Sequence, residues 1–372
     1  MVIFELPAGA GRAGVRAATL GSCRVRNPIF ALRERGDLMV CDAGLVATHS
    51  APEALQSLRL ILGESRIDDF LAPYVFEAQT QPDVERLART LAGGVEAFIV
   101  EISDDKQFTY DGVQLQQNFV SRQLVKAHGH ALLSWYRDVC LGRPIVEETV
   151  QAAMTAMRDS GFAADSRMND LLRHLRLHRL DTDEIVDSLR QLMSRAPGRW
   201  TVMGTFLVPG HEGAVMDGRA HLNQKLADAA ARCGANFFDP SVLVVEHGRE
   251  TALDAGGANI YEFAESFYPV VGESLATLAS GVGGAAARPI RPSSPAVPES
   301  RSRARRRLAD RVNRELIGLH RERVEELGVA GSGLHAHYAD RLRQEQLVGQ
   351  RERTLFSILD AYLPPYDVYA VM

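Results

Sequence analysis

The sequence predicts an α/β protein, a mainly parallel sheet flanked by helices. Short apolar runs bounded by Gly, Asp or Pro alternate with amphipathic stretches, which is the pattern of strand–helix–strand units. The composition agrees: 46% hydrophobic and 24% charged residues over 372 positions supply a sizeable core, in one large domain or two ordinary ones.

The strands are expected at 14–20 (GVRAATL), 37–41 (DLMVC), 96–102 (EAFIVEI), 200–208 (WTVMGTFLV) and 235–239 (ANFFD). Each is short and rich in β-branched, aromatic or other apolar residues. Between them lie helix patterns. The segment 50–62 opens with Ser50 as N-cap, Pro52 in the first turn and Glu53 at the capping-box position, and its Leu55, Leu58 and Ile61 or Leu62 share a face. The segment 82–94 starts on Pro82 and stops at Gly93 and Gly94, and 218–234 is a third such helix. From 114 to 196 the pattern is almost wholly helical. A single crossover helix needs about a dozen residues, so this stretch is expected to form an inserted helical layer or lid.

Residues 281–300, rich in Gly, Ala, Pro and Ser, read as a flexible linker. They separate a domain at 1–280 from a helical C-terminal segment at 301–372. That segment ends on PPYDVYAVM, a strand-like run that needs either the main sheet or a further domain to join.

Several classes are disfavoured. A formal net charge of -5 argues against a nucleic-acid binder, and the five arginines of RSRARRR (301–307) read as a solvated linker end leading into a helix. No apolar run reaches about 18 residues, so no membrane span is expected. The N-terminus lacks a basic region followed by a long apolar stretch, so no signal peptide is expected. Cys23, Cys41, Cys140 and Cys233 are far apart without CxxC pairing, which fits a reduced, cytoplasmic protein. No GxGxxG follows an expected strand and no GxxxxGK[ST] occurs, so no nucleotide cofactor is implied. His174 and His178 are spaced as on one helix face, but no Glu lies between them and no third ligand is near; a solvated face is expected, with no metal. The oligomeric state is left open.

In an open α/β sheet, ligands bind beyond the carboxyl ends of the strands. The most informative stretch there is TLGSCRVRNP (19–28). An apolar run stops at Gly21, Ser22 and Cys23 follow, then Arg24 and Arg26, and Pro28 reads as a helix start. Three readings stand: a strand-to-helix turn that presents a nucleophile with oxyanion donors around it, an anion cradle in which Arg24 and Arg26 add charge, or a Gly-Ser turn capping a helix. Cys23 is a rival nucleophile, because a helix N-terminus lowers a thiol pKa. The other strand ends bring Asp42 and His49, then Glu101, Ser103, Asp104, Asp105 and Lys106, then His211 and Glu212, and last Asp239, Glu246 and His247.

A first strand ending in Leu-Gly-Ser and running directly into a helix resembles block I of the SGNH (GDSL-like) hydrolase and acyltransferase superfamily. The Gly21-Ser22-Cys23 variant, with THSAPEALQ, FIVEISDDK and LQQNF downstream, is similar to bacterial SGNH-like proteins found with surface-polysaccharide genes. Over about residues 14–280, the resemblance implies a flavodoxin-like three-layer α/β/α fold with Ser22 as nucleophile. The chain departs from that pattern twice. Where Gly-x-Asn-Asp is expected after the third strand, it has Glu101-Ile102-Ser103-Asp104. Ser103 offers one donor to an oxyanion, whereas Glu101 opposes it unless protonated or paired, with Lys106 the obvious partner in sequence. Where Asp-x-x-His is expected, 252–275 has Asp254 and Asn259 but no histidine. A serine needs a base, which leaves His247, beside Glu246, then His211, then His49.

Two functions are therefore expected in competition. One is an ester hydrolase or O-acyltransferase acting on a carbohydrate through Ser22, with the amides around Ser22 and Cys23 holding the oxyanion. The other is a catalytically degenerate glycan-binding or scaffolding module, with Arg24 and Arg26 at the cradle and a separate transferase unit as partner.

Overall fold

A computed structural model of the chain describes residues 1–7, 14–44, 47–76, 83–128, 130–162, 165–207, 217–254 and 261–281. The chain divides into two units at Pro289 and Ile290. The expected linker, the C-terminal helices and the terminal strand fall, beyond Gly281, outside the described residues.

Nine strands form two sheets among the described residues: β1 (Val2–Leu6), β2 (Val15–Leu20), β3 (Met39–Ala43), β4 (Ala97–Glu101), β5 (Lys106–Tyr110), β6 (Val113–Leu115), β7 (Arg176–Arg179), β8 (Arg199–Met203) and β9 (Asn236–Phe238). The main sheet has the order β3-β1-β2-β4-β8-β9. The pairs β2–β4, β4–β8 and β8–β9 are parallel, whereas β1 runs antiparallel to both β2 and β3. With β1 set aside, the five expected strands take the doubly wound order 2-1-3-4-5, the flavodoxin-like arrangement. The mixed α/β architecture with a mostly parallel central sheet is thus as expected.

The strand β1 is an addition to that plan. Its Val2, Ile3 and Phe4 are all buried, as a continuous apolar run must be in a strand covered on both faces. The glycines of GAGRAG (9–14) therefore follow a strand after all. The next described element is antiparallel β2, whereas a dinucleotide-binding fingerprint opens a helix.

The helix α1 (Cys23–Arg35) is capped by Ser22, whose hydroxyl accepts from the Arg24 amide, and it closes on Gly36 at φ 80°. Pro28 thus lies inside the helix and does not start it. The next helix, α2 (Ala51–Ile61), is capped by Ser50. The helix expected at 82–94 opens on Asp83 as cap and spans Val84–Ala92, and the one expected at 218–234 spans Asp217–Cys233. On one face of the sheet, Val25, Ile29 and Leu32 of α1 join Phe4, Ile99, Met203, Val271 and Leu275 in one core. There α1 packs against the Tyr268–Ser280 helix. A Cβ on Gly272 would lie 2.7 Å from the Pro28 carbonyl and 2.7 Å from Leu32, so the small residue permits the close crossing. Elsewhere, Phe98 stacks on Trp200 of the neighbouring strand at 4.7 Å.

Between β6 and β8 the chain forms helices at Gln117–Val120, His130–Cys140, Glu147–Asp159, Ser166–His174 and Thr182–Arg195. The helical pattern is interrupted at β7, which pairs with β5 to build a three-stranded sheet, β6-β5-β7. His174 and His178 consequently do not share a helix face. His174 ends a helix and contacts Asp170, whereas His178 lies on β7 and bonds Glu184. Among the described residues no group of three or more His, Cys, Asp or Glu is placed to hold a metal, and no helix is long and apolar enough to cross a membrane.

Candidate functional site

The topological switch point of the sheet lies between β2 and β4, which connect outward in opposite directions; ligands of this architecture bind beyond the strand ends there. Gly21 and Ser22 leave β2 at that place, and Glu101 ends β4. These residues are 79 positions apart in sequence and in direct contact. The Ser22 hydroxyl donates to Glu101 Oε2 at 2.7 Å, and the Ser22 amide donates to the same oxygen at 2.7 Å. Gly21 makes the approach possible: a Cβ there would sit 2.6 Å from Glu101 Cβ and 2.8 Å from its Oε2.

Glu101 is wholly buried, and its other oxygen pairs with the Arg24 guanidinium. The counter-charge thus comes from α1 and not from Lys106, which begins β5 and whose amide bonds Asp104. A residue on the first turn of a helix capped by Ser22 reaches Glu101 more directly than one beyond the strand end. Arg24 is itself held on two further sides. It donates to Thr205 Oγ1 at 3.2 Å and lies 5.4 Å over the Phe206 ring. Asn223 fixes Thr205 by a reciprocal pair of bonds with its backbone, at 2.9 and 2.6 Å. Nothing in the sequence singles out Thr205, Phe206 or Asn223, because their part is to hold Arg24 rather than to offer reactive groups.

The two arginines of the expected cradle separate. Arg26 is exposed and lies 5.6 Å over Phe30. Two positions along a helix differ by about 200°, so the pair cannot face one anion. Cys23 is exposed. Partial desolvation, then the charges of Glu101 and Glu262, push its thiol pKa up, contrary to the lowered value expected at a helix start. The Ser22 amide is occupied by Glu101, which leaves the Cys23 amide, first of the helix and without an intrahelical acceptor, as the backbone donor at this turn.

The three histidines fare differently. His211 lies outside the described residues. His247 ends the Ser241–His247 helix, with its ring 5.1 Å from Phe267. His49 belongs to the switch-point rim: its carbonyl accepts from the Ser103 and Asp104 amides at 2.8 and 3.0 Å, and its Nδ1 is 2.9 Å from the Ser103 hydroxyl. Among the described residues no histidine nitrogen bonds Ser22. Burial lowers the His49 pKa to about 4, with Glu101 opposing and Arg24 assisting, so the ring is neutral at pH 7. The His49 amide donates to Glu53 Oε2 at 2.8 Å, and burial raises the pKa of that carboxyl to about 8.

Comparison with known proteins adds a family. The model of the TviD N-terminal domain matches residues 15–278. The chain belongs to the TviD N-terminal domain family. The match takes in both halves of the switch point, Gly21–Arg24 and Glu101–Ser103, and the rim at His49. A curated relative is the Vi polysaccharide biosynthesis protein TviD of Salmonella typhi, 24% identical over 256 residues, which are 67% of this chain and 29% of that protein. The chain thus spans less than a third of that relative's length. No solved structure matches the chain.

Proposed function

We propose that the chain serves surface-polysaccharide biosynthesis as an SGNH-like, ester-directed domain, a hydrolase or O-acyltransferase acting on a carbohydrate, with Ser22 as nucleophile. The name of the TviD relative supports the polysaccharide context. The observation that carries the chemistry is the 2.7 Å bond from the Ser22 hydroxyl to Glu101 at the switch point. It gives the hydroxyl a proton acceptor already within reach, as a serine nucleophile requires.

In this reading Ser22 Oγ attacks the acyl carbonyl and its proton passes to Glu101 Oε2. Arg24, on the other oxygen, holds the carboxylate aimed beforehand. The oxyanion takes the Cys23 amide and the Ser103 hydroxyl. His49 positions Ser103 rather than acting on Ser22: with its proton on Nδ1 the ring donates to Ser103 Oγ and frees the Ser103 proton for the oxyanion. Collapse expels the alcohol, which takes the proton from Glu101; water or a sugar hydroxyl then attacks the acyl-serine, gives its proton to Glu101, and Ser22 leaves and recovers that proton. The domain occupies 1–280, and transferase chemistry belongs to a separate unit. All four cysteines are free thiols, which supports a reducing, cytoplasmic setting.

A second reading is a glycan-binding module without turnover. It is favoured by the 3% exposure of Ser22, whose hydroxyl is engaged both as helix cap and as donor. A fluorophosphonate probe separates the two. The enzyme reading expects covalent modification mapped to Ser22, and loss of labelling and of acyl-ester turnover in Ser22→Ala, at a stability cost of about 1 kcal/mol for the lost cap. Glu101→Gln is expected to lower kcat by roughly 10²–10⁴-fold. Absence of labelling on the folded protein, together with no ester turnover, gives the site to the binding reading.

A further inference from the structure

Beside the switch point, a narrow cleft of about 270 Å³ including its open mouth has a water-sized inner end. Its polar walls include Thr48, Glu53, Gln114 and Gln116, with Gln56 and Ser57 beside them, and Val75 and Phe76 supply an apolar side. Thr48 Oγ1 and Gln114 Oε1 are both buried here without a hydrogen-bond partner, although Thr48 is only 4% exposed. Buried polar atoms normally find partners, so two orphans in one cleft point to a ligand that supplies them. Gln114 is held in place by the Gln56 side chain, which bonds both its amide and its carbonyl at 2.8 and 2.9 Å. Gln116 spends its oxygen on the Phe119 amide, which leaves its NH₂ to the cleft.

No lysine or arginine lines the cleft, and the one carboxyl, Glu53, is pushed by burial to a pKa of about 8, so it is protonated at neutral pH. Such a wall of amides, hydroxyls and one neutral carboxyl, with an aromatic side, suits an uncharged, hydroxyl-rich ligand and offers an anion no counter-charge. One wall of the cleft is tied to the Ser22 turn, because the Thr48 amide bonds the Gly21 carbonyl at 3.4 Å. We propose that this cleft is a subsite for an uncharged sugar unit, seating one hydroxyl or hydroxymethyl group against Thr48 Oγ1 and Gln114 Oε1. That the ligand is a sugar rests on the polysaccharide reading above.

Saturation-transfer NMR on the full chain tests this with glucose and N-acetylglucosamine as neutral probes and galacturonate as the anionic control. The neutral sugars are expected to show transfer and galacturonate markedly less. Thr48→Val and Gln114→Leu are each expected to weaken binding about tenfold, as one lost hydrogen bond would. The melting temperature of Thr48→Val should hold or rise, since the variant removes an orphaned hydroxyl. Transfer absent for both neutral sugars at millimolar concentration, transfer unchanged in both variants, or galacturonate binding as well as glucose overturns the proposal. Sugar binding that persists while the fluorophosphonate leaves Ser22 unmodified would sink the acyl-transfer reading alone. A labelled Ser22 with no sugar binding would sink the subsite alone.

Discussion

At the scale of single residues, the site turns on one buried charge. Glu101 has no exposure and pairs with Arg24. Removing one partner of such a pair strands the other without compensation, at a cost of about 3–5 kcal/mol. Arg24→Met is therefore expected to shift the denaturant midpoint by that amount, and Glu101→Gln in the same background to recover much of it; equal losses in single and double variants would contradict the pairing. Two further groups set a pH profile. His49, with a folded pKa of about 4 against 6.5 unfolded, lets the unfolded chain bind the extra proton, so stability falls as pH drops through that window. Glu53, at about 8 against 4.5, keeps a proton that the unfolded chain loses, so stability falls as pH rises from 4.5 to 8. From these two groups, stability is level between about 4.5 and 6.5, where the slopes cancel, and declines on the alkaline side. Glu53→Gln should abolish that alkaline decline, which urea unfolding at a series of pH values measures directly.

At the scale of elements, α1 and the Tyr268–Ser280 helix cross closely at Gly272. Gly272→Ala would press a methyl against the Pro28 carbonyl, a backbone atom with little freedom to move. A loss of about 1–3 kcal/mol is expected, read from the thermal midpoint; an unchanged or higher midpoint would show that the helices separate freely. The elements that the sequence left unread are instructive. The β5–β6 hairpin turns on Asp111 and Gly112 at φ 49° and 74°, and an Asp-Gly pair between apolar residues is a strong short-range hairpin signal. It is legible there, between the expected strand at 96–102 and the helical stretch from 114, and went unread. The four residues of β7, Arg176–Arg179, have no such signal. Three of them are exposed, and only pairing with β5 makes them a strand. The Ser50 cap was legible in full; the reach of Glu53 to the His49 amide was legible only as a capping box, which aims one residue later.

At the scale of the whole molecule, the parallel strands form the interior and the small sheet lies outside it. All five residues of β4 are buried. Opening it requires exposure of the core on both faces, whereas β7 is largely in solvent. Native-state hydrogen exchange is expected to find amides of β2, β4 and β8 slowest, exchanging only by global unfolding, and those of β7 orders of magnitude faster. Uniform protection across both sheets would refute this division.

The sequence by itself determined the five-strand plan, the helix cap at Ser50, and the turn that places Ser22 at a strand end, because hydrophobic periodicity and capping are local properties of a chain. The tertiary structure alone decided that Ser22 meets Glu101, that Arg24 rather than Lys106 answers its charge, and that His49 rather than His247 borders the site. Those choices depend on which strand ends become neighbours across the switch point, and a contact between residues 79 positions apart leaves no periodicity in the sequence between them.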